Sequence, residues 1–298
     1  MKAAPTNRII RAYRISRIAL HLLGGVVRAG VLFPVVGAQG RQHLARRWAA
    51  QLLAILNVRV SVSGEVPDGS VGGTVFVANH ISWLDIFLLN SVRPLRYVAK
   101  SEVRSWPLYG WFAVKVGTFF IDRNKRQDTA HVNRHVADAL GAGDCVGVFP
   151  EGTTGDGTGL LYFHASLLQP AVHGAVMVRP VAIRYVHRDG SVDTAPAYVG
   201  DLTFGASIAQ VLGRRVIHAE MVFLPPVHAH GKTRRELARH AEHAIATQLC
   251  LPLPCKKPEK SADLQDVEQT ASLPTDSLYP ELPDAPLVAV PALTSVPK

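Results

Sequence analysis

The chain has 298 residues and a net charge of +9, with 48% of residues apolar and 18% charged. That length and apolar content allow a sizeable core in one large domain or two small ones, and the chain is too polar for a protein with many membrane spans. No acidic residue precedes Glu65, whereas Lys2, Arg8, Arg11, Arg14, Arg17, Arg28, Arg41, Arg46, Arg47 and Arg59 do; beyond Pro258 acidic residues prevail. The N-terminal arginines are interleaved with Ile, Leu and Val rather than with stacking aromatics, which suits a lipid surface better than nucleic acid. Three cysteines, Cys145, Cys250 and Cys255, match neither a zinc nor a disulfide framework and point to a reducing, cytosolic-side location.

Residues 8–37 read as helical and apolar to amphipathic. Gly24, Gly25, Arg28 and Pro34 interrupt the apolar run. A span needs about 20 apolar residues, so two short helices lying in the membrane interface are expected. A signal peptide is the rival reading. A further helix at residues 44–56 again pairs arginines with an apolar face.

From residue 57 strands and helices alternate. Strands are expected at 58–62, 74–78, 95–99, 117–121, 145–149, 176–185 and 216–223. Helices are expected at 82–92, 126–140 and 232–249. This alternation predicts an α/β domain, with a largely parallel mixed sheet flanked by helices. In such sheets ligands gather at the carboxyl ends of strands. After residue 254 Pro, Ser, Asp, Glu and Ala dominate without a period, which reads as a disordered tail. The expected organisation is therefore 1–48 membrane-associating helices, 49–252 α/β domain, and 253–298 tail.

Three strand ends carry polar residues. The first is Asn79-His80-Ile81-Ser82-Trp83-Leu84-Asp85. Residues five apart within one helix diverge by about 140°. If His80 instead precedes the helix and Asp85 lies in its first turn, the two can meet. Asp85 would then fix the imidazole tautomer, leaving the other nitrogen to take a proton from a hydroxyl. The competing reading is a capping box, with Ser82 and Asp85 three apart. The second strand end is Gly117-Thr118-Phe119-Phe120-Ile121-Asp122-Arg123, where Arg123 could hold phosphate bidentately or be an ordinary solvated cation. The third is Phe149-Pro150-Glu151-Gly152-Thr153-Thr154-Gly155-Asp156-Gly157, a site for close backbone approach or a tight surface turn. All three could open onto one rim of the sheet.

As a set these motifs resemble the glycerolipid acyltransferase family that includes 1-acylglycerol-3-phosphate acyltransferases. Its Asn-His-x4-Asp block is matched by Asn79, His80 and Asp85. Its Gly-x-x-Phe-Ile-x-Arg block is matched by Gly117, Phe120, Ile121 and Arg123, and its Phe-Pro-Glu-Gly-Thr block by Phe149 to Thr153. A weaker fourth block corresponds to Val178-Arg179-Pro180-Val181-Ala182.

The resemblance implies that His80 and Asp85 are catalytic. It implies that Asn79, Arg123, Glu151, Gly152, Thr153 and Thr154 bind substrate. Lys100 matches a family lysine that supports the developing oxyanion, against the alternative of a surface lysine. It also implies O-acyl transfer from acyl-CoA or acyl carrier protein to a lysolipid hydroxyl at the cytoplasmic face of the inner membrane, with neither metal nor nucleic acid as partner. The first expected acceptor is 1-acylglycerol-3-phosphate. Thr154 departs from this, because many phosphatidic-acid-forming members have arginine there. The Glu-Gly-Thr-Thr form resembles a branch that acylates lyso-ornithine lipid, the alternative acceptor. The rival functions are a lipid hydrolase using the same His–Asp pair on water, and a non-catalytic membrane- or nucleic-acid-binding protein.

Overall fold

A computed structural model of the chain describes residues 6–68, 71–105, 109–121 and 126–254. Within these, eight strands form one sheet: β1 (Val58–Gly64), β2 (Thr74–Ala78), β3 (Arg96–Lys100), β4 (Phe119–Ile121), β5 (Val146–Val148), β6 (Met177–Val186), β7 (Ile217–Phe223) and β8 (Val227–His228). The order is β1-β7-β6-β2-β5-β3-β4, with β8 also pairing with β6. Strands β6, β2, β5, β3 and β4 run parallel, while β7 and β8 are antiparallel to β6 and β1 is parallel to β7. The mixed, largely parallel sheet is the one expected.

The helices are α1 (Arg8–Val27), α2 (Ala38–Ile55), α3 (Leu84–Val92), α4 (Tyr109–Lys115), α5 (Arg126–Gly141), α6 (Gln169–His173), α7 (Phe204–Gly213) and α8 (Arg234–Leu249). Two apolar cores cover the two sheet faces. One contains Leu52, Leu53, Phe76, Leu84, Leu88, Ile183, Val211 and Phe223. The other contains Val75, Val77, Val136, Leu140, Val178, Leu237, Ala241 and Ile245. Adjacent β2 residues, Val75 and Phe76, thus feed opposite cores, as the strand period of two requires. The fully buried β2 is apolar throughout for the same reason.

Pro180 lies inside the central strand β6, where a missing N–H would ordinarily break a ladder. It falls between residues 177–178, which pair with β8, and residues 181–186, which pair with β7. The proline therefore sits where one antiparallel partner gives way to the other.

The N-terminus differs from expectation. α1 runs through Gly24 and Gly25 and continues as a π-turn over Arg28–Leu32. The 25 residues Arg8–Leu32 are long and apolar enough to cross a membrane by length and composition. The two glycines do not stop the helix because a single Gly costs only about 1 kcal/mol relative to Ala. The helix is docked along its first half: Arg14 donates to the carbonyls of Arg214 (2.7 Å) and Arg215 (3.0 Å) beyond α7, and the Thr6 amide donates to Gly213 (2.9 Å). Residue 48, the expected end of the membrane-associating segment, lies inside α2. That helix contributes Leu52 and Leu53 to the core and packs on α3, so it belongs to the α/β unit. The tail beyond residue 254 lies outside the described residues.

Candidate active site

Strand β2 ends at Ala78, and the next side chain prolongs its pairing. Asn79 Nδ2 donates to the Ile183 carbonyl and Asn79 Oδ1 accepts from the Ile183 amide, both at 2.8 Å. The side chain imitates one more step of the β2–β6 ladder. It is buried, and both ends of its amide are bonded. Asn79 was expected among the substrate-binding residues; its described bonds fix the point from which the next residue departs.

That residue is His80. Its Nδ1 lies 2.9 Å from Asp85 Oδ2. The same carboxylate oxygen accepts from the amides of Ile81 (2.7 Å) and Ser82 (2.9 Å), and Oδ1 accepts from the Tyr185 hydroxyl at 2.6 Å. Asp85 is the second residue of α3 and is completely buried. Burying a carboxylate is costly unless it is hydrogen-bonded; here four donors fill its roughly four acceptor positions. The two readings of Asp85, capping and catalysis, are therefore not alternatives: one oxygen receives the turn amides and the imidazole together. With Asp85 as acceptor, His80 carries its proton on Nδ1. That leaves Nε2 as the unprotonated ring atom, on a side chain 18% exposed.

The imidazole is also held by its face. It stacks on Phe149 with ring centroids 3.9 Å apart, and Phe149 stacks in turn on Tyr97 at 5.9 Å. This ladder depends on a glycine. Gly147 pairs in register with Tyr97, and a Cβ there would lie 2.6 Å from Tyr97 Cε1. Only a residue without a side chain lets the Tyr97 ring lie across β5.

The turn after β5 locks the same loop from the other side. Glu151 Oε1 accepts from the His80 amide (2.8 Å), and Oε2 accepts from the Leu161 amide (3.2 Å). The His80 carbonyl accepts from the Gly155 amide at 2.8 Å. Burial pushes the Glu151 carboxyl up to about 8; the two amide bonds oppose this, and the nearby carboxylates of Asp85 and Glu242 reinforce it. The carboxyl is thus largely protonated at neutral pH. Gly152 takes a positive φ of 73° that lets the turn close. Thr153 is exposed. Thr154 is half-buried and its hydroxyl donates to the Tyr198 carbonyl; the Tyr198 amide donates to Ile81 (2.9 Å). Thr154 therefore tethers residues 198 and 81 to the β5 turn.

The structure thus joins His80, Asp85 and Glu151 at adjacent carboxyl ends of β2 and β5. Arg123 lies outside the described residues. Of Lys100 only the backbone is described: it closes β3, in register with Ile121 at the end of β4. Among the described residues no cluster of three His, Cys, Asp or Glu side chains could hold a metal ion.

Three contributors were not singled out in the sequence: Tyr185, Tyr97 and Gly147. Tyr185 carried a faint signal, because a tyrosine in an apolar central strand must find a partner for its hydroxyl.

Residues 57–184 match the family profile described as Acyltransferase. The chain is 41% identical over 211 residues to the lyso-ornithine lipid O-acyltransferase of Pseudomonas aeruginosa, covering 70% of this chain and 79% of the relative. The chain belongs to the acyltransferase family. It is also 40% identical over 147 residues to the 1-acyl-sn-glycerol-3-phosphate acyltransferase of Neisseria meningitidis serogroup B, covering 49% of this chain and 57% of that relative. The crystal structure of the 1-acyl-sn-glycerophosphate acyltransferase of Thermotoga maritima superposes with a TM-score of 0.63 at 20% identity, over 82% of this chain and 94% of that one. Homology therefore makes this chain an acyltransferase of lipid biosynthesis, as its three motifs imply, and the fold is shared with that enzyme.

Proposed function

We propose that this acyltransferase esterifies a lysolipid hydroxyl by general-base catalysis from His80, with acyl-CoA or acyl carrier protein as donor. The observation that carries the proposal is the His80–Asp85 contact: a tautomer fixed by a buried, four-bonded carboxylate leaves Nε2 as a base at the sheet rim. The acceptor oxygen attacks the thioester carbonyl while its proton passes to Nε2. The tetrahedral intermediate collapses, the carbon–sulfur bond breaks, and the imidazolium returns the proton to the departing thiolate. Lys100 and Arg123 are assigned to the oxyanion and the acceptor head group by their motif positions.

For the acceptor, lyso-ornithine lipid is preferred over 1-acylglycerol-3-phosphate. The former reading rests on similarity over 70% of the chain against 49%, and on Thr154 standing where an arginine would supply a cation. Purified enzyme given both lysolipids in competition tests this; preference for the phosphate-bearing lysolipid would reverse the order.

The active face is assigned to the cytoplasmic leaflet, with α1 lying in the interface. Its docking through Arg14 to the end of α7, and the exposure of Ile9, Ile10, Leu20, Leu23, Val27, Val31 and Val35, support that placement. Protease access to residue 1 and to the catalytic domain from the same side of sealed vesicles is the expected result.

A further inference from the structure

A second polar site lies away from the strand ends. Arg17, His21, Gly24 and Arg28 are spaced four, three and four residues apart along α1 and its π-turn, so they form one stripe. They face Gln51 and Ile55 of α2 across an open cleft of about 370 Å³, which Leu20 also lines. None of these residues belongs to the loops that follow β2 and β5.

Three observations make this cleft more than a solvated face. First, among the described residues neither Arg17 nor Arg28 has a carboxylate within ion-pair distance, and no acidic residue precedes Glu65 in the chain. Two uncompensated cations therefore border one concavity. Second, His21 is 92% buried, stacked on Trp48 at 4.9 Å, and its Nε2 has no hydrogen-bond partner. Burial lowers this imidazole from its ordinary value and the charges of Arg28 and Arg17 add to that, against a backbone hydrogen bond with Trp48 that raises it, so it is a neutral ring rather than a third cation. Third, Gly24 lets the Arg28 guanidinium lie close against the helix: a Cβ there would be 3.1 Å from Arg28 Nη1, which the flexible side chain could yield to by a few tenths of an ångström.

We infer that this cleft binds the phosphate group of a membrane phospholipid, separately from the lysolipid acceptor. Two guanidiniums suit phosphate oxygens through paired donors. The lipid source is favoured over free phosphate by the neighbouring helix surface. Leu20, Leu23 and Val27 turn away from the polar stripe by less than a half-turn and are 70%, 62% and 54% exposed. A phosphate seated between the arginines would leave its acyl chains along that apolar strip.

The test uses the full-length protein and phosphatidylcholine vesicles with and without phosphatidylglycerol. Arg17→Gln/Arg28→Gln is compared with Arg8→Gln/Arg47→Gln, which removes equal charge outside the cleft. The cleft pair should lose about tenfold more affinity for phosphatidylglycerol vesicles than the control pair, the equivalent of about one charge-assisted hydrogen bond. It should keep its turnover on detergent-dispersed acceptor. Arg17→Lys/Arg28→Lys retains both charges but removes the paired guanidinium donors; it should lose affinity in the same direction, which guards against misfolding of the double variant. Inorganic phosphate serves as the soluble probe and should not raise the melting temperature of the wild-type protein. If it does so for wild type but not for the cleft pair, while vesicle affinities of the two pairs match, the lipid assignment is wrong. Equal losses in both pairs, with no effect of phosphate, would remove the site altogether.

Discussion

The hydroxyl of Tyr185 on β6 donates to Asp85 Oδ1 at 2.6 Å, while the other oxygen of the same carboxylate holds His80. A residue one hundred positions along the chain thus anchors the orienting acid of the base. Burial and the adjacent Asp85 charge push the phenol well above its ordinary value, so it remains a donor throughout the working pH range. Tyr185→Phe leaves one buried carboxylate oxygen unpartnered. We expect a stability loss of about 1.5–3 kcal/mol, the usual worth of a hydrogen bond to a charged group. We also expect turnover to fall about tenfold with KM little changed, as for a positioning residue. Denaturant melts and steady-state kinetics on the same preparation check this; a stability loss with unaltered turnover would confine Tyr185 to the fold.

Glu151 predicts a pH dependence of stability. Its carboxyl is raised from the ordinary 4.5 to about 8 in the folded protein. Between those values the folded state binds more protons than the unfolded state. This group's contribution to stability therefore declines as pH rises from about 4.5 through about 8 and is constant outside that window. Glu151→Gln should flatten the slope of unfolding free energy between pH 5 and pH 8. It also loses one amide bond, because its amide nitrogen cannot accept from both His80 and Leu161. An unchanged slope would mean that Glu151 is ionised in the fold.

Gly147 predicts a loss transmitted through stacked rings. A methyl group at this position would meet Tyr97 Cε1 at 2.6 Å, well inside contact distance. Gly147→Ala should cost about 1–3 kcal/mol as overpacking, and turnover should fall because Tyr97 can no longer support Phe149 beneath His80. Tyr97→Leu in the same background should recover part of both. Failure of the pair to recover would show that Gly147 acts through the strand backbone instead.

Thr154 bears on the acceptor. Thr154→Arg adds a cation next to the β5 turn and removes the hydroxyl tether to Tyr198. Competition between lysophosphatidic acid and lyso-ornithine lipid should shift toward the former, while overall turnover declines as the loop loosens. Thr154→Val, which removes only the tether, should lower turnover without moving the ratio. Equal ratios in all three proteins would take this position out of acceptor selection.

The sequence carried the sheet well, because its strands are short apolar runs bounded by polar turns, and the three motif-bearing loops follow β2, β4 and β5. It was silent on what depends on long-range contact. The spacing of His80 and Asp85 left capping and catalysis open, and only the fold revealed that one oxygen does both. The pairing of Asn79 with Ile183, over one hundred residues away, likewise had no local signature. α1 was expected to be interrupted at Gly24, Gly25, Arg28 and Pro34; its anchor to the end of α7 through Arg14 has no signature in local periodicity. α7, an apolar helix of ten residues, was not anticipated.

The central claim is that His80 is the base and Asp85 its orienting partner. The most direct measurement is acyl transfer by purified His80→Ala and Asp85→Asn, alongside their melting curves. Loss of a general base typically costs about 10²–10⁴ in rate. His80→Ala should therefore lose activity on that scale while staying folded and losing less stability than Asp85→Asn, since its imidazole supplies one of four donors to Asp85 and a stack on Phe149. Asp85→Asn should lose both activity and stability, because the amide keeps one oxygen but puts a donor in place of the other and removes the charge that all four hydrogen bonds serve. Near-normal turnover by a folded His80→Ala protein would contradict the account.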